Sequence, residues 1–186
     1  FDFLTGKRAK EGIVMQLHPD EPLIIEGIHA LNPMLLNDDI DRDKLFRVYV
    51  SALTTLNIDD HNRIHTTDAR LLRRLVRDYE TRGASMEHTL SMWPSVRRGE
   101  EKWIFPYQEN ADALFNTTLV YEVSVLKKYV YPLLQEVPKE SPCYAAARDI
   151  TKVLNYFLDA DGIEDEIPPT SILREFIGGC TFYRKD

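Results

Sequence analysis

The sequence has 186 residues, of which 44% are hydrophobic and 28% charged, values that predict an ordinary globular protein with one packed core. Its formal net charge of −7 argues against broad attraction to nucleic acid or to an anionic membrane surface, because the long-range field has the wrong sign. No apolar run approaches the roughly 20 residues that a membrane-spanning helix needs, so we expect neither direct nucleic-acid binding nor membrane insertion.

Three short apolar runs predict β-strands. The first, residues 22–25, ends in Glu26, and a segment too long for a tight hairpin separates it from the second, residues 45–51. A crossover connection, which joins parallel strands, fits this spacing better. Residues 113–116 form the third candidate. Because open parallel sheets bind ligands at the carboxyl ends of their strands, Glu26 is predicted to lie at a ligand site.

The middle of the chain carries the pattern of amphipathic helices. Residues 68–82 place apolar side chains on one face, and Gly83 suits the end of that helix. A second helix is predicted over residues 85–93, where Pro94 stops it, and a charged turn follows at residues 97–102. The apolar face of the first helix comprises Leu71, Leu72, Leu75, Val76 and Tyr79.

The rest of the chain is predicted to be mostly helical. Helical patterns cover about residues 119–134 and 141–158, and a short capped helix within residues 168–179 is expected to dock back on the domain. The second of these helices is expected to place inward Ile150, Val153, Leu154, Phe157 and Leu158. We therefore divide the chain into an α/β domain, residues 1–137, and a helical extension packed on it, residues 138–186.

A dense basic face lies on the predicted helix at residues 68–82. Its members are Arg70, Arg73, Arg74 and Arg77. Guanidinium groups this close together repel each other unless anions neutralise them. Arg74 has Asp78 four residues on, and Arg77 has Glu80 three residues on, whereas the other two arginines have no acidic partner at helical spacing. That second pair is therefore predicted to meet an anion from outside the helix, and phosphate suits its forked donors. The alternative is an ordinary solvated helix face.

Two further residues are candidates for binding a ligand. Glu26 could help to hold Mg²⁺ on nucleotide phosphates, because such an ion is commonly held by only one or two protein carboxylates. Alternatively, Glu26 is a strand-terminal acid that faces water. His88 lies in the first turn of its predicted helix, where it either contacts a ligand or sits at the surface.

The cysteine content and the first residues bear on the cellular compartment. Cys143 and Cys180 are the only cysteines, and two thiols so far apart form no metal or disulfide framework. The first eight residues have no signal-peptide pattern, so we expect a cytoplasmic protein. The chain begins with Phe1 rather than methionine, which indicates that it is part of a longer protein.

Three motifs, taken in order, resemble those of the uridine kinase and phosphoribulokinase family. They are Phe-Asp-Phe followed by arginine within residues 1–8, Leu-Ile-Ile-Glu-Gly-Ile-His-Ala at residues 23–30, and the arginine-rich stretch 68–78 with Arg82 and Gly83 after it. The resemblance covers about residues 1–134, and residues 93–112 are similar to a bacterial uridine kinase-like branch. It implies a partial P-loop kinase fold of the α/β class, with three layers around a parallel sheet, to which a helical carboxyl-terminal extension is added.

The resemblance also implies an activity, which is transfer of the γ-phosphoryl group of ATP, with Mg²⁺, to a hydroxyl of a uridine-like or cytidine-like nucleoside or a related small molecule. It implies four roles for individual residues: Arg70, Arg73 and Arg77 closing over the transferring phosphoryl group; Phe3, Arg8 and His88 lining the acceptor pocket; Arg74, Arg97 and Arg98 contacting ATP; and Glu26 near Mg²⁺.

The family's phosphate-binding motif, Gly-x-x-x-x-Gly-Lys-[Ser/Thr], does not occur in this sequence. We therefore expect the chain to be the carboxyl-terminal portion of such a kinase and to be inactive by itself, because that loop cradles the phosphates. The alternative is a noncatalytic nucleotide-sensing or assembly module that retains the fold. Gly6 and His88, which differ from the family at acceptor positions, leave that alternative open. The helical region beyond Leu134 is expected either to brace the core or to form the contact of a homo-oligomer.

Overall fold

A computed structural model describes residues 7, 12, 14–36 and 40–182. Phe3 and Arg8, which are predicted to bind the acceptor, lie outside these residues. The main elements in chain order are strand β1 (Val48–Ser51), helices α1 (Thr66–Arg82) and α2 (Met86–Trp103), strand β2 (Ala113–Asn116), and helices α3 (Glu122–Gln135), α4 (Tyr144–Leu154) and α5 (Arg174–Ile177). Short 3-10 turns lie at Pro33–Leu35, Arg42–Lys44, Phe105–Asn110 and Glu164–Glu166.

The two strands found in the described residues pair in parallel, which confirms the α/β class. Val48 pairs with Ala113 at one end of the ladder, and Ser51 pairs with Asn116 at the other. The Asn116 side chain fixes the carboxyl end, because its Oδ1 accepts from the Leu53 N–H at 2.9 Å and its Nδ2 donates to the Leu53 carbonyl at 3.0 Å. The strand predicted at 113–116 is thus confirmed, and the one predicted at 45–51 is shortened to β1.

The strand predicted at residues 22–25 is wrong. These residues have no strand pairing, and Ile24 is 90% exposed. An apolar run shows only that a segment favours burial, whereas a strand also needs a neighbouring backbone to pair with. Within the described residues no strand forms backbone hydrogen bonds with this segment, so it is not part of a sheet.

Helix α1 confirms the amphipathic prediction. The leucines and the valine of its apolar face are at most 4% exposed, whereas Tyr79, expected beside them, is 45% exposed because it lies in the last turn, beyond the core. Gly83 ends the helix as predicted. It has φ 62°, a left-handed conformation that glycine adopts without a Cβ clash, and its N–H donates to the Asp78 carbonyl.

Helix α2 runs through Pro94 to Trp103, so the predicted stop at Pro94 and the predicted charged turn at residues 97–102 are both wrong. Proline removes one helical hydrogen bond but does not prevent the turns beyond it from forming. Arg97 lies 3.1 Å from Glu100 and 3.0 Å from Glu101, and these pairs at helical spacing support the later turns. The start is as predicted, with the Ser85 hydroxyl accepting the His88 N–H at 3.2 Å.

The core lies around α1, which packs against α2, α3 and α5, while α3 packs against α4. Helix α4 ends at Leu154, so the inward pattern predicted through Leu158 breaks off and Leu158 is 87% exposed. The short α5 docks on the core as predicted, with Leu173 and Phe176 buried. Leu173 belongs to the same hydrophobic cluster as Leu72 of α1. The division of the chain into a domain ending at residue 137 and an extension starting at residue 138 stays a prediction. None of the described helices combines the length and the apolar character that a membrane span requires.

Candidate active site

A cavity of about 540 Å³ opens at the carboxyl ends of the two parallel strands. It is lined by Ser51 at the end of β1, by Ala52 after it, and by Thr117, the residue that follows β2. Helix α1 forms one wall. The arginines that line it are Arg70, Arg73, Arg74 and Arg77. We call this space the arginine cavity. The sheet edge at which it opens is the edge where α/β proteins generally bind ligands.

Arg73 is the most deeply buried of these arginines, and a network of acceptors holds it. Its Nη2 lies 2.5 Å from the Glu122 Oε2 and 2.8 Å from the Thr117 carbonyl, and its Nη1 lies 3.2 Å from the Thr117 hydroxyl. Arg73 is 9% exposed and Glu122 1% exposed. The Arg73 Nε and the Glu122 Oε1 have no hydrogen-bond partner within the described residues. The anion that neutralises this arginine therefore comes from α3, a helix distant in sequence.

Arg70 has its counter-charge on α2. Its Nη2 lies 2.6 Å from the Glu100 Oε1 in an ion pair, although that oxygen accepts no well-aligned hydrogen bond in the described part of the chain. The other Glu100 oxygen lies 3.1 Å from Arg97. Glu100 is only 2% exposed, and these two guanidinium groups offset the cost of burying its carboxylate.

Arg77 contacts the carboxyl-terminal segment. Its Nη2 donates to the Glu175 Oε1, and the sequence-adjacent alternative, Glu80, is not its partner in the structure. The Arg77 guanidinium also lies 4.9 Å from the centre of the Phe176 ring, and that of Arg73 lies 5.6 Å from the same centre. Both distances allow cation–π attraction. Glu175 and Phe176 therefore form a wall of the arginine cavity.

Arg74 pairs with Asp78 one turn on, as its spacing predicted, with its Nε 2.5 Å from the Asp78 Oδ2. The second Asp78 oxygen accepts from Arg82 at 2.7 Å, and the Thr89 hydroxyl donates to the first at 3.1 Å. Burial acts to raise the pKa of Asp78, but the hydrogen bonds and charges of Arg74, Thr89 and Arg82 together outweigh burial and hold the pKa below its ordinary value of 3.8.

A second cavity, of about 670 Å³, adjoins the first. Residues 22–28, including Glu26, line it together with β1, Trp103 and Arg70. Arg70 faces both cavities, so it links the Glu26 segment to the arginine cavity. The described residues contain no group of three or more potential metal ligands. A single carboxylate such as Glu26 fits Mg²⁺ when oxygens of a bound nucleotide or of water complete the coordination.

Several residues predicted from the sequence do not line either cavity. His88 and Arg98 are exposed on α2, and Arg97 is turned toward Glu100, Glu101 and the Phe105 ring, whose centre is 5.6 Å away. Conversely, sequence reasoning missed the partners that fix the arginines in place. Those partners are Thr117, Glu122, Glu100, Glu175 and Phe176. Of these partners, only Glu100 could have been suspected from the sequence, because it lies three residues after Arg97, a spacing at which helical side chains meet.

The sequence was compared with protein-family models. A model described as the phosphoribulokinase / uridine kinase family matches residues 1–124. This chain belongs to that family. The match includes β1, β2, the arginine face of α1 and the buried acids Glu100 and Glu122, whereas α5, with Glu175 and Phe176, lies beyond it.

Individual family members give the same result. Uridine kinases from two strains of Staphylococcus epidermidis and from Staphylococcus carnosus are each 31% identical to this chain over 115 residues, which cover 61% of the chain and 46% of each relative. A uridine kinase from Chlamydia pneumoniae is 30% identical over 115 residues, covering 61% of the chain and 44% of that protein. The matched region thus spans less than half the length of these family members. No solved structure matches this chain significantly.

Proposed function

We propose that this chain is part of an ATP-dependent kinase that transfers the γ-phosphoryl group to a hydroxyl of a nucleoside, uridine-like or cytidine-like, or of a related small molecule. The printed sequence contains no Gly-x-x-x-x-Gly-Lys-[Ser/Thr] motif, and the activity is proposed for a protein in which this chain is joined to the family's phosphate-binding loop. The chain by itself is proposed to be inactive.

The observation that carries this proposal is the convergence of arginines on one cavity at the carboxyl ends of parallel strands. Phosphoryl transfer depends on positioning and on neutralising negative charge, and fixed guanidinium groups supply both. The buried acids behind Arg70 and Arg73 hold those side chains in place before any ligand arrives. Such preorganisation is what electrostatic stabilisation of a transition state requires.

Exposed apolar side chains on the sheet support a larger parent protein. Val50 of β1 is 58% exposed and Phe115 of β2 is 61% exposed. Parallel sheets are normally covered on both faces, so further elements would be needed to bury these side chains. The relatives, of which this chain matches less than half, have length to supply such elements.

Within this proposal, Arg70, Arg73 and Arg77 neutralise the negative charge of the phosphoryl group while it is transferred. Arg74 contacts ATP. Mg²⁺, when bound, would neutralise phosphate charge, with Glu26 as one of its ligands. The acceptor contacts of Phe3, Arg8 and His88 and the ATP contacts of Arg97 and Arg98 stay predictions, as does a homo-oligomer.

A second function, a noncatalytic nucleotide-sensing or assembly module, is favoured by one observation. Each arginine that lines the cavity already has a carboxylate partner within the chain. A fold that neutralises its own cations in this way is stable without any phosphate ligand. The two functions can be distinguished by experiment, because a kinase forms a phosphorylated product and a noncatalytic module does not.

The decisive experiment measures phosphorylation by the protein that joins this chain to the family's phosphate-binding loop, with ATP and Mg²⁺, over a panel of nucleosides and sugar phosphates. Arg77→Ala is the test variant, because Arg77 is partly exposed and the buried network of Arg73 stays intact. We expect kcat/KM to fall at least about 100-fold, equivalent to roughly 2.7 kcal/mol of transition-state stabilisation.

Arg148→Ala is the matched control, since Arg148 is exposed on α4 and does not line the arginine cavity. It should retain the wild-type kcat/KM, and the melting temperature of both variants would show whether they are folded. Absence of product with every acceptor, although ATP binds, would overturn the kinase and favour the sensing module. Equal loss in Arg77→Ala and Arg148→Ala would overturn the role of Arg77.

A further inference from the structure

The carboxyl-terminal segment enters the arginine cavity from outside the family-matched region. The family match ends at residue 124, whereas Ile172, Glu175 and Phe176 line the cavity. Leu173 and Phe176 are buried in the core, at 0% and 4% exposure, so the segment is anchored there. A segment beyond the family match thus contributes part of the wall of the cavity.

The contact that this segment makes with Arg77 is the kind of contact that a phosphate would make. The Glu175 carboxylate pairs with the Arg77 guanidinium across 98 positions of sequence. Carboxylate and phosphate oxygens both accept hydrogen bonds from the forked N–H donors of arginine, so the two groups compete for one guanidinium. Both side chains are only partly buried, at 32% and 36% exposure, and a pair of this kind is weak enough to open.

We propose that Glu175 is an internal competitor for Arg77, which a phosphate-bearing ligand of the arginine cavity must displace. The inference rests on the proposed function only in that the cavity receives a polyphosphate. Phe176 keeps the carboxylate beside the arginine, because its ring is fixed in the core and faces the guanidinium groups of Arg73 and Arg77. The affinity of the cavity for anions is therefore lowered by a residue that lies beyond the family match.

The test measures binding of inorganic tripolyphosphate to the 186-residue chain at low ionic strength. The chain has two tryptophans, Trp93 and Trp103, and both line the arginine cavity, so intrinsic fluorescence reports binding there. Glu175→Gln removes the competing charge and retains the size of the side chain. We expect it to bind tripolyphosphate about threefold to tenfold more tightly than wild type.

Glu80→Gln is the matched control, because Glu80 is an exposed acid three residues from Arg77 that does not line the arginine cavity. Its affinity should equal that of the wild type. In a background of Arg77→Ala, Glu175→Gln should give no gain, because the contested guanidinium is absent. Gains of equal size in both acid variants would mean a general charge effect and would overturn the proposal.

Unchanged or weaker affinity in Glu175→Gln would also overturn it, as would absence of binding in every variant, since removing the competitor would then expose no anion site. If the phosphorylation assay gives product but Glu175→Gln binds tripolyphosphate no more tightly than wild type, the competition by Glu175 is overturned and the proposed kinase activity stands. A gain in affinity without product overturns the proposed catalysis and leaves the competition established.

Discussion

Arg73 and Glu122 form an ion pair of 2.5 Å in which the arginine is 9% exposed and the acid 1% exposed. The pair joins the arginine face of α1 to the start of α3, and Thr117 completes it from the end of β2. It therefore ties α1 to the neighbouring end of β2 and start of α3, which lie 44 and 49 positions away from Arg73 in sequence. The energy of such a pair is best seen when one partner is removed, because the other is then left as a buried, uncompensated charge.

Glu122→Ala is expected to lower the free energy of unfolding by about 3–5 kcal/mol, because Arg73 would lose its only carboxylate partner among the described residues. Urea unfolding measures this loss. Glu136→Ala, at the exposed position just after α3, should change stability by less than about 0.5 kcal/mol. The double variant Arg73→Met, Glu122→Leu should lose less than Glu122→Ala alone. A single variant as stable as the control would show that the pair does not contribute.

Asp78→Asn is expected to lower the free energy of unfolding at pH 7 by about 1–3 kcal/mol, because the buried carboxylate accepts from Arg74, Arg82 and Thr89. The folded pKa of Asp78 lies below its ordinary value of 3.8, so the unfolded chain takes up the proton first as the pH falls. The stabilisation is therefore complete above that value and is lost as pH falls through the folded pKa.

Urea unfolding at several pH values between 7 and 3 measures this dependence. The difference between wild type and Asp78→Asn should be constant down to about pH 5 and should shrink below pH 3.8. Asp149→Asn is the control, because Asp149 is exposed and pairs only with Lys152 within its own helix. A difference that grows on acidification would contradict the sign of this prediction.

Gly83→Ala is expected to destabilise the protein by about 1–2 kcal/mol, since φ is 62° and a side chain there must adopt the left-handed conformation. An added Cβ would meet no atom within 4 Å, so the cost comes from the backbone alone. Gly99→Ala, inside α2 and equally free of clashes, should instead stabilise by about 0.5–1 kcal/mol. Melting temperatures that move in the same direction for both variants would contradict this.

Pro94→Ala is expected to raise the free energy of unfolding by about 1–3 kcal/mol, because α2 continues through this position and alanine restores a helical N–H donor. Pro94 is exposed, so little packing is lost. Thermal unfolding followed by circular dichroism measures the gain. Lower stability in the variant would mean that α2 does not continue as a regular helix beyond residue 94.

Local patterns in the sequence were sufficient for much of the secondary structure. The alternation of apolar and charged residues predicted α1 because a helix buries one face wherever it packs, and Gly83 marked its end because glycine readily adopts φ 62°. The arginine face followed from the same periodicity. The ordered motifs pointed to the family to which the chain belongs.

What the sequence by itself determined, then, is which leucines and arginines lie on opposite faces of α1, and that Arg74 meets Asp78 one turn on. Only the tertiary structure decided which charges on different elements meet. Three of the arginines pair with acids on three other elements, which are Glu100, Glu122 and Glu175. Spacing along the sequence does not predict such contacts. The strand predicted at residues 22–25 failed for the same reason, because a strand depends on a partner that its own residues do not specify. Helical periodicity is a property of neighbours along the chain, whereas ion pairs and strand pairing depend on residues brought together by folding.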